Sequence, residues 1–208
     1  MSKSASNEVI IFYDVHLACD AAPAIGCGSR AKPLLMDLER QAAIEEAWLN
    51  RAGTILAIIW AGPAHSAEVA QSVFEKHEIP FKERRDERPT SFREKGNWFR
   101  GAGVDLLSLE EAREIAETSV IAAERERLMS VEEAARIKSG IEAYFREELV
   151  KLRTKQELLR DTRGKFQQAV LDIYKRHIGI ERTAQAQARG IQNPFNRLER
   201  DEGLSCCS

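Results

Sequence analysis

Four cysteines are the residues of this chain with the most specific chemistry, and they lie in two places. Cys19 and Cys27 lie in a polar segment after the apolar run VIIFYDV, and Cys206 and Cys207 lie at the C-terminal end. Thiolates prefer soft ions, and adjacent thiols on a flexible arm can capture such an ion and pass it on. The placement therefore predicts soft-metal binding or trafficking, with Cys19, Cys27, Cys206 and Cys207 as ligands.

Cys27 could also act as a single activated thiol, without a metal ion. Arg30 stands three residues later, at the position of the second cysteine of a C-x-x-C pair. A guanidinium cannot bind a metal cation, but a nearby positive charge and a helix N-terminus both favour thiolate over thiol. Arg30 is therefore a candidate thiol-activating residue, and Cys27 could act in thiol-redox chemistry with Cys19 as its resolving partner. The third alternative is that neither cysteine has a chemical role.

The composition limits the classes of function. Of the 208 residues, 43% are hydrophobic and 31% charged, which is typical of a globular protein. The longest apolar run, ILAIIWAG, is too short to span a membrane, and the polar start MSKSASNE predicts a cytoplasmic location. We find no triad, phosphate loop or acid–base pair in the sequence, so we expect a protein that is not an enzyme.

The elements that must position Cys19 and Cys27 lie between residues 9 and 85. Leu34, Leu35 and Leu38 share one side of a helix, and Pro33 fits only the first turn of that helix. The other expected elements are a strand VIIFYDV, strands at 44–50 and TILAIIWA joined by a turn, a helix capped by Ser66, and an edge strand EIPFKE. This order predicts an α+β fold with a ferredoxin-like βαββαβ domain over residues 9–85.

Residues 9–84 resemble the heavy-metal-associated domain of copper chaperones, metal-pumping ATPases and mercury-handling proteins. That family carries a C-x-x-C motif after its first strand. Cys27 takes the place of the first motif cysteine, and LLMDLERQAAIEEAWLNRAGTILAII follows at the family's spacing. Arg30 makes the motif degenerate, so Cys19 or the C-terminal cysteines would have to supply the second thiolate. The resemblance implies Cu(I), Hg(II) or Zn(II) as the bound ion and no other cofactor.

The rest of the chain has helical periodicity. Ser108 with Glu111, and Ser130 with Glu133, have capping-box spacing, and each precedes an apolar stripe. A third stripe follows in KFQQAVLDIYKRHIGIE. We expect an α-helical domain of bundle or coiled-coil type over residues 105–188. Its stripes suggest the alternative function of an assembly or regulatory module, with a homo-oligomer or a protein partner bound through these helices.

Three segments lie outside these two predicted domains. We expect a disordered N-terminus over residues 1–8, a charged linker over 86–104 and a flexible tail over 189–208. The linker combines basic residues with Phe92, Trp98 and Phe99, but interleaved acidic residues argue against nucleic-acid binding.

Overall fold

The computed structural model describes residues 8–19, 22, 24–62, 66–85, 89–152, 157 and 162–189. It is a mixed α and β structure with a five-stranded antiparallel sheet and five helices among the described residues. The predicted disordered N-terminus lies outside the described residues except for Glu8, and the predicted flexible tail lies outside them except for Arg189. The chain forms two compact units, Met1–Cys19 with Pro23–Leu107, and Asp20–Ala22 with Ser108–Ser208.

The elements follow one another in the order strand, helix, strand, strand, helix, strand, and then one short strand and three helices. Their bounds are β1 Val9–Val15, α1 Gly28–Glu39, β2 Ile44–Asn50, β3 Ile55–Trp60, α2 Ala67–Lys76, β4 Phe81–Glu83, β5 Trp98–Phe99, α3 Asp105–Arg125, α4 Val131–Leu149 and α5 Thr162–Ala188. The predicted strand VIIFYDV is confirmed, and its β-branched and aromatic residues suit a pleated surface. The predicted strand 44–50 is also confirmed, and it pairs with β3 across the predicted turn.

The sheet has the strand order β4-β1-β3-β2-β5, and every neighbouring pair is antiparallel. β1 and β2 are therefore separated by β3, and α1 connects them. β4 lies at the sheet edge, as Pro80 predicted, because proline lacks the N–H that a central strand needs.

The two faces of the sheet are buried in different ways. Tyr13 of β1 packs against Phe74 of α2 with ring centroids 5.3 Å apart. Phe12 faces the opposite side, as alternation along a strand requires, and its ring lies 5.1 Å from Phe92 and 6.4 Å from Trp98. The segment 89–99, which we call the aromatic strap, thus covers the sheet face away from α2.

The aromatic strap lies within residues 86–104, which the sequence predicts as a charged linker, but it is packed as part of the fold. Its last two residues form β5 and pair with β2, and Arg93 and Arg100 each bind the Glu46 carboxylate, at 2.9 and 3.0 Å. Partial burial raises the pKa of Glu46, and hydrogen bonds from Trp48 and Arg93 outweigh this and lower it. The segment therefore belongs to the first unit, which extends to Leu107.

In the second unit, the helices bury the stripes that the sequence predicts. The Phe145 and Phe166 rings lie 5.0 Å apart, and the Tyr174 hydroxyl donates to the Ser119 carbonyl at 2.5 Å. The predicted capping box of Ser130 and Glu133 is confirmed. The one predicted at Ser108 and Glu111 is wrong, because α3 already begins at Asp105 and Ser108 is buried within the helix.

The turn between β2 and β3 touches the segment before α1 through two glycines. Gly53 has a φ of +71°, and a Cβ at this position would lie 2.6 Å from the Gly26 Cα and 2.7 Å from the Leu17 carbonyl oxygen. Gly26 donates its N–H to the Arg51 carbonyl at 2.7 Å, and Leu17 donates to the Gly53 carbonyl at 2.9 Å. Only glycine allows both the positive φ and this backbone approach.

We expect Gly53→Ala to lower the free energy of unfolding of the first unit by more than about 2 kcal/mol, because strain and a backbone clash add. Gly96→Ala is the matched control, since Gly96 has a φ of +84° but nothing within 4 Å of an added Cβ. Gly96→Ala should lower the free energy of unfolding by only about 1 kcal/mol. Urea unfolding followed by tryptophan fluorescence measures this, because Trp48, Trp60 and Trp98 all lie in the first unit. Equal costs would show that the glycine contact is unimportant.

Asp37 connects the end of α1 to the end of α2. Its carboxylate binds Lys76 Nζ at 2.7 Å, His77 Nε2 at 2.9 Å and Arg40 at 2.7 Å. Partial burial raises the pKa of Asp37, but the hydrogen bonds from Lys76, His77 and Arg40 outweigh this and lower the pKa to about 2. The carboxylate therefore stabilises the fold above its unfolded pKa, and this contribution is lost as the pH falls toward 2.

We expect Asp37→Asn to lower the stability of the first unit by about 1 kcal/mol at pH 7, and this difference to shrink toward zero between pH 4 and pH 2. Urea unfolding at a series of pH values measures it. Glu45→Gln, at an exposed carboxylate, is the control and should change stability little at pH 7. A difference between Asp37→Asn and wild type that stays constant down to pH 2 would contradict the account.

Candidate thiol site

The segment between β1 and α1 folds back on itself and brings its two ends side by side. Ala18 forms an isolated antiparallel bridge with Gly26. Cys19 donates its N–H to the Ile25 carbonyl at 2.9 Å, and Cys27 donates its N–H to the Leu17 carbonyl at 2.6 Å. These two bonds flank the bridge, so the backbone at both cysteines is fixed by hydrogen bonds.

This register places Cys19 and Cys27 on the same side of the short ladder. Residues two apart on a strand point the same way, and directly opposed residues share a face. Leu17 lies opposite Cys27, and Cys19 follows Leu17 by two residues. The two cysteines are therefore diagonal neighbours, a relation that the sequence left open.

The side of the ladder that carries the cysteines is largely shielded from solvent. Leu17 is 0% exposed, Ile25 is 1% exposed and Cys27 is 5% exposed, whereas Cys19 is half-buried. A reagent from solvent would therefore reach Cys19 more readily than Cys27. No disulfide joins the two cysteines.

The diagonal positions of the two cysteines suit a metal ion shared by two thiolates better than they suit a disulfide. Diagonal neighbours in an antiparallel ladder are about 7 to 8 Å apart, whereas a disulfide needs Cα atoms within about 6.8 Å. A metal bound between two thiolates holds the sulfurs roughly 4.6 Å apart, at about 2.3 Å from each. Two side chains that lean toward each other from diagonal positions can span that distance without moving the backbone.

Arg30 follows Cys27 by three residues. α1 begins at Gly28 with Cys27 as its N-cap residue, so Arg30 is the third residue of the helix. The prediction that Pro33 lies in the first turn is wrong, because Pro33 is the sixth residue, and the burial of Ala31, Leu34 and Leu35 holds the longer helix in place. Arg30 is only 7% exposed, so its charge lies within the protein and not on a solvated surface.

The structure bears differently on the tail cysteines and on other possible metal sites. Cys206 and Cys207 lie outside the described residues. Among the residues that are described, no group of three or more His, Cys, Asp and Glu side chains is arranged to hold a metal ion. A depression of about 340 Å³ between α1 and α2 includes Asp37, Lys76 and Ser72, but neither cysteine.

One face of the sheet and the aromatic residues of the basic cluster are covered by the protein itself. The sheet face away from α2 lies under Phe92 and Trp98 of the aromatic strap. The aromatic residues that accompany the basic cluster, Phe92, Trp98 and Phe99, are 8%, 5% and 5% exposed, so they pack in the first unit and do not stack on bases.

Comparisons with protein-family models, with curated proteins and with solved structures find no match to this chain. None of the described helices combines the length and the apolarity needed to cross a membrane.

Native alkylation tests the placement of the two loop thiols. In a Cys206→Ser/Cys207→Ser background, we expect N-ethylmaleimide to modify half-buried Cys19 at least about 10-fold faster than buried Cys27, since access limits the reaction. Peptide mass spectrometry after timed quenching measures both rates, and the same reaction in urea, where the rates should converge, is the control. Faster modification of Cys27 would contradict this placement and would favour a single activated thiol.

Proposed function

We propose that this protein binds a soft metal ion as cargo, through the thiolates of Cys19 and Cys27. The observation that carries the proposal is the Ala18–Gly26 bridge, which places both cysteines on the same side of one ladder. A random loop conformation would leave the two sulfurs far apart for most of the time. Here the backbone holds them near each other before any ion arrives.

The environment of the pair supports a soft ion over a hard one. Soft ions form strong bonds to sulfur, and the apolar side chains of Leu17 and Ile25 keep competing water away from the pair. Cys19 is half-buried, so an ion can enter from its side and then engage Cys27. In this proposal Cys206 and Cys207 form a second thiol pair that accepts or delivers the ion by thiolate exchange.

The strand order supports a finer description of the first unit. We infer that residues 9–84 form a ferredoxin-like unit related to heavy-metal-associated domains. In the order β4-β1-β3-β2, β3 lies between β1 and β2, and β1 lies between β3 and β4, so that α1 and α2 each connect two strands that are not neighbours. Together with the element order βαββαβ, this arrangement supports the inference of a split βαβ unit.

Anaerobic titration with Cu(I) and with Hg(II) in competition with a chelator of known affinity tests the function. We expect the wild-type chain and the Cys206→Ser/Cys207→Ser variant each to bind an ion at the loop. Cys19→Ser or Cys27→Ser in the serine-tail background should weaken that binding by at least about 100-fold, because one of two metal–sulfur bonds is lost.

The matched control is Ser29→Ala, which changes a buried residue of α1 close to Cys27 without removing a thiol. It should retain the wild-type affinity. Equal uptake by the serine-tail chain and by its Cys27→Ser variant would contradict the proposal.

A further inference from the structure

The aromatic strap contains a serine whose hydroxyl takes part in its packing. Ser91 is half-buried, and its Oγ accepts a hydrogen bond from the Trp98 indole N–H at 3.4 Å. Phe92 is the next residue, and its ring lies 5.0 Å from the Trp98 ring and 5.1 Å from the Phe12 ring of β1. A group added to Ser91 Oγ would therefore displace the Trp98 N–H from this bond and disturb the contact between the strap and the sheet.

The backbone holds the aromatic strap on the sheet only at its end. In the described part of the chain, two residue pairs join β5 to β2. Arg93 has a φ of +65°, a left-handed conformation that is unfavourable for residues other than glycine. Residues 93–96 are all exposed, and segments with an exposed turn and few backbone bonds open locally more easily than the core does. The strap can therefore open without unfolding of the sheet.

The sequence before Ser91 is basic. The segment RRDERPTSF, residues 84–92, has an arginine three residues before Ser91 and a large apolar residue directly after it. Protein kinases with an acidic substrate groove select acceptor residues by such charge patterns, and they read the substrate as an extended segment. Recognition therefore depends on the order of the residues and on local opening of the strap, which frees Ser91 and Phe92 together.

We propose that Ser91 is a phosphorylation site for a protein kinase that selects basic segments, and that its phosphate releases the aromatic strap from the sheet. The kinase transfers the γ-phosphoryl group of ATP to Ser91 Oγ. A phosphorus–oxygen bond to Oγ forms, the bond from the γ-phosphorus to the oxygen that leaves with ADP breaks, and the hydroxyl proton goes to solvent. The inference goes beyond the proposed function and does not depend on the two loop cysteines.

The added charge opposes the closed strap in two ways. A phosphate carries a charge of about −1.5 to −2 at pH 7, and its burial beside Trp98 in place of a hydroxyl costs desolvation energy. Arg93 follows two residues later and binds the Glu46 carboxylate at 2.9 Å, and the phosphate competes for this guanidinium because arginine binds phosphate strongly. Release of the strap uncovers the apolar sheet face that carries Phe12.

The transfer to Ser91 is tested on the full chain with MgATP and the catalytic subunit of cyclic-AMP-dependent protein kinase, which selects basic segments. We expect phosphate on Ser91 by peptide mass spectrometry, and a rate at least about 10-fold lower in Arg88→Gln, because a charge contact with the acidic groove is lost. Thr90→Ala, next to the acceptor, is the matched control and should change the rate by less than about 3-fold. Phosphate on Thr90 alone, or no phosphate on Ser91, would overturn the assignment of the site.

The release of the strap is tested without a kinase, by incorporation of phosphoserine at position 91 during synthesis of the full chain. We expect amide hydrogen exchange at residues 92–99 to be at least about 10-fold faster than in the wild-type chain, with exchange in β1 and β3 unchanged. Phosphoserine at position 90 is the matched control and should leave exchange unchanged, because Thr90 is exposed. Unchanged exchange with phosphoserine at position 91, or faster exchange throughout the first unit, would overturn the proposed release.

Discussion

The backbone contact between Gly26 and Gly53 is the constraint on which the thiol site depends. It locks the segment before α1 against the β2–β3 turn, and the Arg51 and Gly53 carbonyls accept hydrogen bonds from Gly26 and Leu17. Because Leu17 and Gly26 are then fixed, the bridge between Ala18 and Gly26 can form. The relative position of the two cysteines follows from the packing of a hairpin turn that contains neither of them.

The same contact fixes where α1 begins. Cys27 has an extended backbone and its N–H is bound to the Leu17 carbonyl, so the helix can start only at the next residue. This start places Arg30 within the first turn and carries its side chain into the protein. The register of the two cysteines, the start of α1 and the burial of Arg30 thus follow from one close approach between two glycines.

The local elements of the fold were predictable because their signals are local. β1 follows from its β-branched and aromatic residues, and β2 follows from the turn that lets it form a hairpin with β3. The start of α4 follows from the spacing of Ser130 and Glu133. The aromatic strap was not predictable in this way. Its charged residues resemble a linker, and only the distant partners Phe12 and Glu46 give Phe92, Arg93 and Trp98 their packed positions.

The candidate site was predictable in its residues but not in its geometry. Cys19 and Cys27 are conspicuous in the sequence, whereas their register depends on Gly53, and nothing near Gly53 in the sequence points to the loop. The burial of Arg30 was missed for a related reason. Pro33 suggested a later helix start, and the burial of Ala31 and Leu34 outweighs that local preference.

X-ray absorption at the copper edge tests the central claim most directly. Cu(I) would be loaded anaerobically into the full chain with Cys206 and Cys207 replaced by serine. We expect a copper ion with two sulfur neighbours and no nitrogen or oxygen neighbour, and the loss of this signature in Cys19→Ser and in Cys27→Ser. A copper environment of nitrogen and oxygen atoms, or an unchanged spectrum in either variant, would contradict it.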